Sequence, residues 1–140
     1  MKKIYILPLL IALFMAIPSQ AQRAKVSTIF IYGVGINFAD STCYLTSVQR
    51  VENVPLERSQ GFLLNRYAYS EQLFQYLYTQ AEKRHETCSV FFASTRAKAE
   101  KQFLKLKRRM IKERGEQHLI EIPADAFHFV AVPYVERPTQ

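Results

Sequence analysis

Nine basic residues crowd one segment of the chain: Arg96, Lys98, Lys101, Lys105, Lys107, Arg108, Arg109, Lys112 and Arg114, opposed only by Glu100 and Glu113. Nine cations against two carboxylates leave this segment at +7, which equals the formal charge of the whole 140-residue chain. On a helix of 3.6 residues per turn, Lys98, Lys101, Lys105, Arg108, Arg109 and Lys112 share an arc of roughly 100°. Ala99, Phe103, Leu106 and Met110 form the opposite stripe, flanked by Leu104 and Ile111. Like charges three and four apart repel by a few tenths of a kcal/mol per pair. A chain under no other pressure would intersperse glutamates. The pattern suits a helix docked through its apolar stripe and presenting an anion-binding face for an anionic lipid, an acidic glycan or an acidic protein partner. A solvated face that only keeps the chain in solution fits the same residues. Nucleic acid is disfavoured, because no aromatic side chains for base stacking interleave the cations.

Other candidate groups carry less. Ser94, Thr95 and Arg96 stand where a strand feeds a helix N-terminus, a geometry that can hold an anion; helix capping accounts for the hydroxyls equally. Gly33 and Gly35 are too few for a nucleotide-binding fingerprint and predict a bulge in the first strand. His85, His118 and His128 lack metal-ligand spacing, and two cysteines cannot make a four-thiolate zinc site, so no metal or cofactor is expected. Cys43 and Cys88 each follow a Thr and open an apolar run. If those run starts lie side by side in one sheet, a disulfide is permitted; two separate buried thiols are the alternative. No catalytic residue is assigned.

The elements that must hold these groups follow from periodicity. Residues 26–38 and 42–51 are β-branched and aromatic and predict two strands in an antiparallel hairpin around Ala39–Ser41. Residues 52–66, with Asn53, Pro55, Ser59 and Gly61, predict a long loop. A helix is expected from an N-cap at Ser70, with Leu73, Phe74, Leu77, Tyr78 and Ala81 on one side and Lys83, Arg84 and His85 in its last turn. Residues 88–93 predict a third strand, and Ser94 or Thr95 caps the basic helix, which Gly115 ends. Residues 118–122 and 127–132 predict two short strands before a tail marked by Pro133 and Pro138. The order ββαβαββ gives an α+β fold, a single mixed or antiparallel sheet of four to five strands with two helices packed on it in two layers. The span from strand three through the basic helix to strand four is long enough for a parallel crossover.

The N-terminus carries an address. Lys2 and Lys3 precede an uncharged apolar run, Ile4 to Ile17, and Ser19 and Ala21 occupy the −3 and −1 positions of a secretory cleavage site. Residues 1–21 are therefore expected to be a signal peptide and 22–140 a single α+β domain with a flexible C-terminal tail. The 14-residue run from Ile4 to Ile17 is shorter than the roughly 20 residues a spanning helix needs, and no second long apolar stretch follows. Cleavage removes 21 residues and two lysines, leaving 119 residues at +5. Outside the basic helix the cleaved chain is then near −2. The full 140-residue sequence, with 49 % hydrophobic content and only 4 Gly and 6 Pro, excludes a disordered or collagen-like chain.

The blocks Asn65-Arg66-Tyr67-Ala68-Tyr69-Ser70-Glu71-Gln72-Leu73 and Ser94-Thr95-Arg96-Ala97-Lys98-Ala99-Glu100-Lys101 resemble uncharacterised small exported proteins of Bacteroidota-type bacteria. The resemblance covers the middle of the chain. It implies an envelope location and brings no catalytic residues. The expectation is an exported, non-enzymatic envelope protein, periplasmic or extracellular, that binds an anionic partner through the basic helix. The alternatives are a small hydrolase or transferase, with a site between the 52–66 loop and the Ser94–Arg96 turn, and a structural subunit of an envelope assembly.

Overall fold

The structure, a computed structural model, describes residues 24–79 and 86–135. The expected leader, Ala81, Lys83, Arg84, His85 and the end of the tail lie outside the described residues. The elements run β1 (Ala24–Ile36), β2 (Cys43–Thr46), β3 (Gln49–Glu57), α1 (Arg66–Thr79), β4 (Thr87–Ala93), α2 (Arg96–Arg114), a 3-10 turn at Glu116–His118, and β5 (Leu119–Ile122). They form an α+β fold with one mixed five-stranded sheet and two helices. The observed order is βββαβαβ.

Thirteen-residue β1 is the hub. It pairs antiparallel with β2, β3 and β4, and β5 lies parallel to β2. Phe30 and Ile31 pair with both β3 and β4, and Val34 to Ile36 pair with both β2 and β4. Therefore β4 runs along one edge of β1, while β2 and β3 share the other. They share it as one interrupted strand. Between the pairs Val34↔Leu45 and Ile31↔Gln49, two residues of β1 face three of the partner, and Thr46 Oγ1 accepts the buried Gly33 N–H at 2.7 Å. Between Ile29↔Val51 and Ser27↔Val54 the partner again carries one residue more, and Asn53 adopts φ 58°. The expected bulge at Gly33 and Gly35 is thus in the partner strand rather than in β1.

β1 alternates between two cores. Ile29 and Ile31 join Tyr69, Leu73 and Leu77 of α1, whereas Tyr32 and Val34 join Leu106 and Met110 of α2. The helices cover opposite faces, giving three layers where two were expected. Gly33 and Gly35 lie under α1: a Cβ at Gly33 would stand 2.8 Å from Leu73 Cδ2 and 2.9 Å from Phe129 Cζ, and one at Gly35 would stand 2.7 Å from Leu77 Cδ1. These glycines let the helix close on the sheet. On the other side β4 and β5 point the same way with β1 and β2 between them, so α2 spans a parallel crossover.

Three segments differ from the elements their sequence predicts. The 52–66 segment is strand through Glu57, because an edge position with its partner on one side only tolerates Pro55. Helix α1 begins at Arg66, so Ser70 lies within it and is not its cap. Residues 127–132 are not a strand: side chains hold them in place. Gln49 brackets Phe127 O and Phe129 N (2.9 and 2.8 Å), Gln72 brackets the backbone of Val130 (both 2.9 Å), and Tyr69 Oη accepts Val132 N–H at 2.9 Å. The amide side chains stand in for a neighbouring strand's backbone.

Candidate functional site

Thr95 caps α2, its hydroxyl accepting Lys98 N–H at 3.3 Å, and Gly115 N–H closes the helix onto Ile111 O at 2.9 Å. Burial of Ala99, Leu106 and Met110, with Phe103 packed beside them, turns the opposite arc outward. Burying Leu106 and Met110 contributes about 1.5–3 kcal/mol each. Six cation pairs at helical spacing (98/101, 101/105, 105/108, 105/109, 108/112 and 109/112) cost in all of order 1–3 kcal/mol. Packing therefore holds a helix that its own charges oppose.

The nine cations separate into two sets. Lys107 pairs with Glu121 at 2.8 Å, Arg96 pairs with Glu100 at 3.7 Å and lies 5.0 Å over the Phe30 ring, and Arg114 lies 5.7 Å over Phe38. Lys98, Lys101, Lys105, Arg108, Arg109 and Lys112 are all exposed and make no ion pair among the described residues. These are the six that the angular count placed on the outer arc. Two flanks border the arc. Toward β5, Phe103, Leu104 and Pro123 line a groove with Glu100 and Glu121. Toward β4, Tyr32, Phe91 and Leu106 line a groove with Arg66, Lys105 and Arg109. The cationic surface thus continues over one flank only.

Arg66, Tyr32 and Phe91 were absent from the sequence-based site. Strand alternation could have put Tyr32 and Phe91 on the face of α2, since Tyr32 pairs with Phe91 across β1 and β4. Nothing in the sequence signals that Arg66, at the start of α1, reaches this side of the sheet.

Ser94 is exposed, and the Thr95 hydroxyl is engaged in the cap. Cys43 and Cys88 are both free thiols. Cys43 pairs with Ile36 on one edge of β1 and Cys88 with Gly35 on the other, so a whole strand separates them. Two strand spacings of about 4.8 Å exceed the Cα separation a disulfide spans. Their side chains also join opposite cores, Cys43 meeting Met110 Sδ at 2.9 Å and Cys88 packing on the α1 side. Burial pushes the Cys43 thiol up to about 11, with Glu86 adding to the rise and Arg114 opposing it. Burial, then Glu86 and Glu71, pushes the Cys88 thiol up to about 12. Neither suits a nucleophile at neutral pH. Among the described residues no group of three or more His, Cys, Asp or Glu could hold a metal ion, and no helix is long and apolar enough to cross a membrane.

Comparison with protein families, with curated proteins and with solved structures finds no match.

Proposed function

We propose that this is an exported, non-enzymatic protein of the cell envelope, periplasmic or extracellular, that binds an anionic partner through the outer face of α2. One observation carries the reading: six cations on one helical arc are exposed and without an ion pair among the described residues, while every cation off that arc in α2 has a carboxylate or an aromatic ring against it. A lysine or arginine close to an anionic surface contributes about 1 kcal/mol, screened by salt. The export pattern of residues 1–21 and the resemblance to small exported proteins support the setting. The thiol environments speak against cysteine catalysis.

The test replaces Lys101, Lys105, Arg108 and Lys112 with Gln. All four are exposed, so the fold is kept, as thermal melting checks. Removing four such contacts, at about 1 kcal/mol each, lowers affinity by roughly three orders of magnitude. Retention on immobilised heparin and on phosphatidylglycerol vesicles should be salt-sensitive for the wild type and lost in the variant. Unchanged retention contradicts the proposal.

A further inference from the structure

The flank toward β4 is built differently from a plain charged surface. α2 and β4 enclose a groove of about 530 Å³ whose apolar floor is Tyr32, Phe91 and Leu106 and whose cations are Arg66, Lys105 and Arg109; among the described residues no carboxylate lines it. The floor is ordered. Tyr32 and Phe91 stack at 5.5 Å with 23° between their planes, and Phe103 holds Tyr32 edge-on at 5.6 Å. Phe91 nonetheless remains 36 % exposed. Arg66 is also held: its guanidinium donates to Val90 O and lies 5.9 Å from the Phe91 ring centroid. A guanidinium has five N–H donors, so one bond to the backbone fixes the group and leaves others for a ligand. Arg66 comes from α1 and Lys105 and Arg109 from α2, so three cations from two elements converge on one aromatic floor.

We propose that this groove seats the phosphate end of an anionic phospholipid. The phosphate oxygens accept from Arg66, Lys105 and Arg109, and the glycerol and first methylenes cover Phe91, the exposed ring of the floor, with the buried Tyr32 ring stacked against it. An aromatic floor gains nothing from a free inorganic anion, and cations gain little from an uncharged lipid, so the combination selects a molecule with both parts. The groove adjoins the outer arc, so a lipid held there lies beside cations facing neighbouring headgroups. The inference rests on the α2-face reading for Lys105 and Arg109; Arg66 is independent of it.

The experiment titrates the isotope-labelled full chain with dihexanoyl phosphatidylglycerol below its micelle concentration, with dihexanoyl phosphatidylcholine and with inorganic phosphate, following amide resonances. The phosphatidylglycerol should shift Tyr32, Phe91 and Leu106 saturably; the phosphatidylcholine, which has the same phosphate but a trimethylammonium that the three groove cations repel, and inorganic phosphate, which has no apolar part, should each bind at least tenfold more weakly. Arg66→Gln should weaken the phosphatidylglycerol about tenfold, the loss expected for one charge-assisted bond. Phe91→Ser should bring phosphatidylglycerol and phosphate to the same affinity. Thermal melts check folding, and Arg109→Gln supplies a second charge variant if Arg66→Gln unfolds. Equal response to the two lipids, phosphate as strong as phosphatidylglycerol, or no effect of either charge variant overturns the proposal. Heparin retention of the wild type keeps the readings apart. Retention without saturable lipid shifts sinks the groove alone, and lipid shifts without retention sink the α2-face reading alone.

Discussion

Gly33→Ala tests how α1 sits on the sheet. Gly33 lies in extended β1, so alanine meets no conformational bar. Its Cβ would stand 2.8 Å from Leu73 Cδ2 and 2.9 Å from Phe129 Cζ, two contacts on buried side chains from different parts of the chain. Overpacking of this kind costs typically 1–3 kcal/mol. Removing a glycine's freedom in the unfolded chain returns about 0.4–1 kcal/mol. The net loss is about 1–2 kcal/mol, which lowers the melting temperature by roughly 4 °C or more in a domain of this size. Thermal and urea unfolding read it. Leu73→Val, which deletes the clashing Cδ2, should cost less in the Gly33→Ala background than alone, with a coupling above about 0.5 kcal/mol. A Gly33→Ala protein with wild-type stability, or two substitutions whose effects simply add, refutes the close approach of α1.

Other perturbations address other parts of the fold. Thr46→Val leaves the buried Gly33 N–H without its acceptor and should cost about 1–3 kcal/mol in urea unfolding, with Thr46→Ser close to wild type. Because burial lifts the Cys43 and Cys88 thiols to about 11 and about 12, a thiol reagent at pH 8 should label the native protein slowly and both cysteines promptly in guanidinium; no labelling of the unfolded chain would mean a disulfide. The Glu57 carboxyl is held below its usual range by the Ser59 hydroxyl first, then by the Gln60 and Ser59 N–H groups. A carboxyl lowered on folding stabilises at neutral pH, and that contribution disappears as pH falls through its folded value. The melting difference between wild type and Glu57→Gln should therefore be full above the usual carboxylate range and close below it, and a pH-independent difference contradicts this.

What the sequence made legible was local. The basic helix was readable to its ends because a Thr cap, a Gly stop and a 3.6-residue stripe agree over five turns. The outer six cations followed from angle alone. The β1–β2 hairpin followed from the alternating β-branched runs around Ala39–Ser41. What failed depended on neighbours distant in the chain. Pro55 reads as a loop residue until β3 is placed beside β1 at an edge. Residues 127–132 read as a strand because nothing local shows that Gln49 and Gln72 take over the backbone pairing. The cysteines read as a plausible bridge because strand order, which puts β1 between them, is set by tertiary packing. Arg66 joined no site for the same reason.

The most direct test of the central claim separates where the charge lies from how much there is. Two variants each lose three cations: Lys101, Lys105 and Arg108 to Gln on α2, and Lys25, Arg50 and Arg58 to Gln outside it, all exposed positions. Binding to phosphatidylglycerol vesicles is measured at low and physiological salt. The account predicts that the α2 variant loses most of its binding while the equally charged control keeps it; equal losses in the two variants would contradict it.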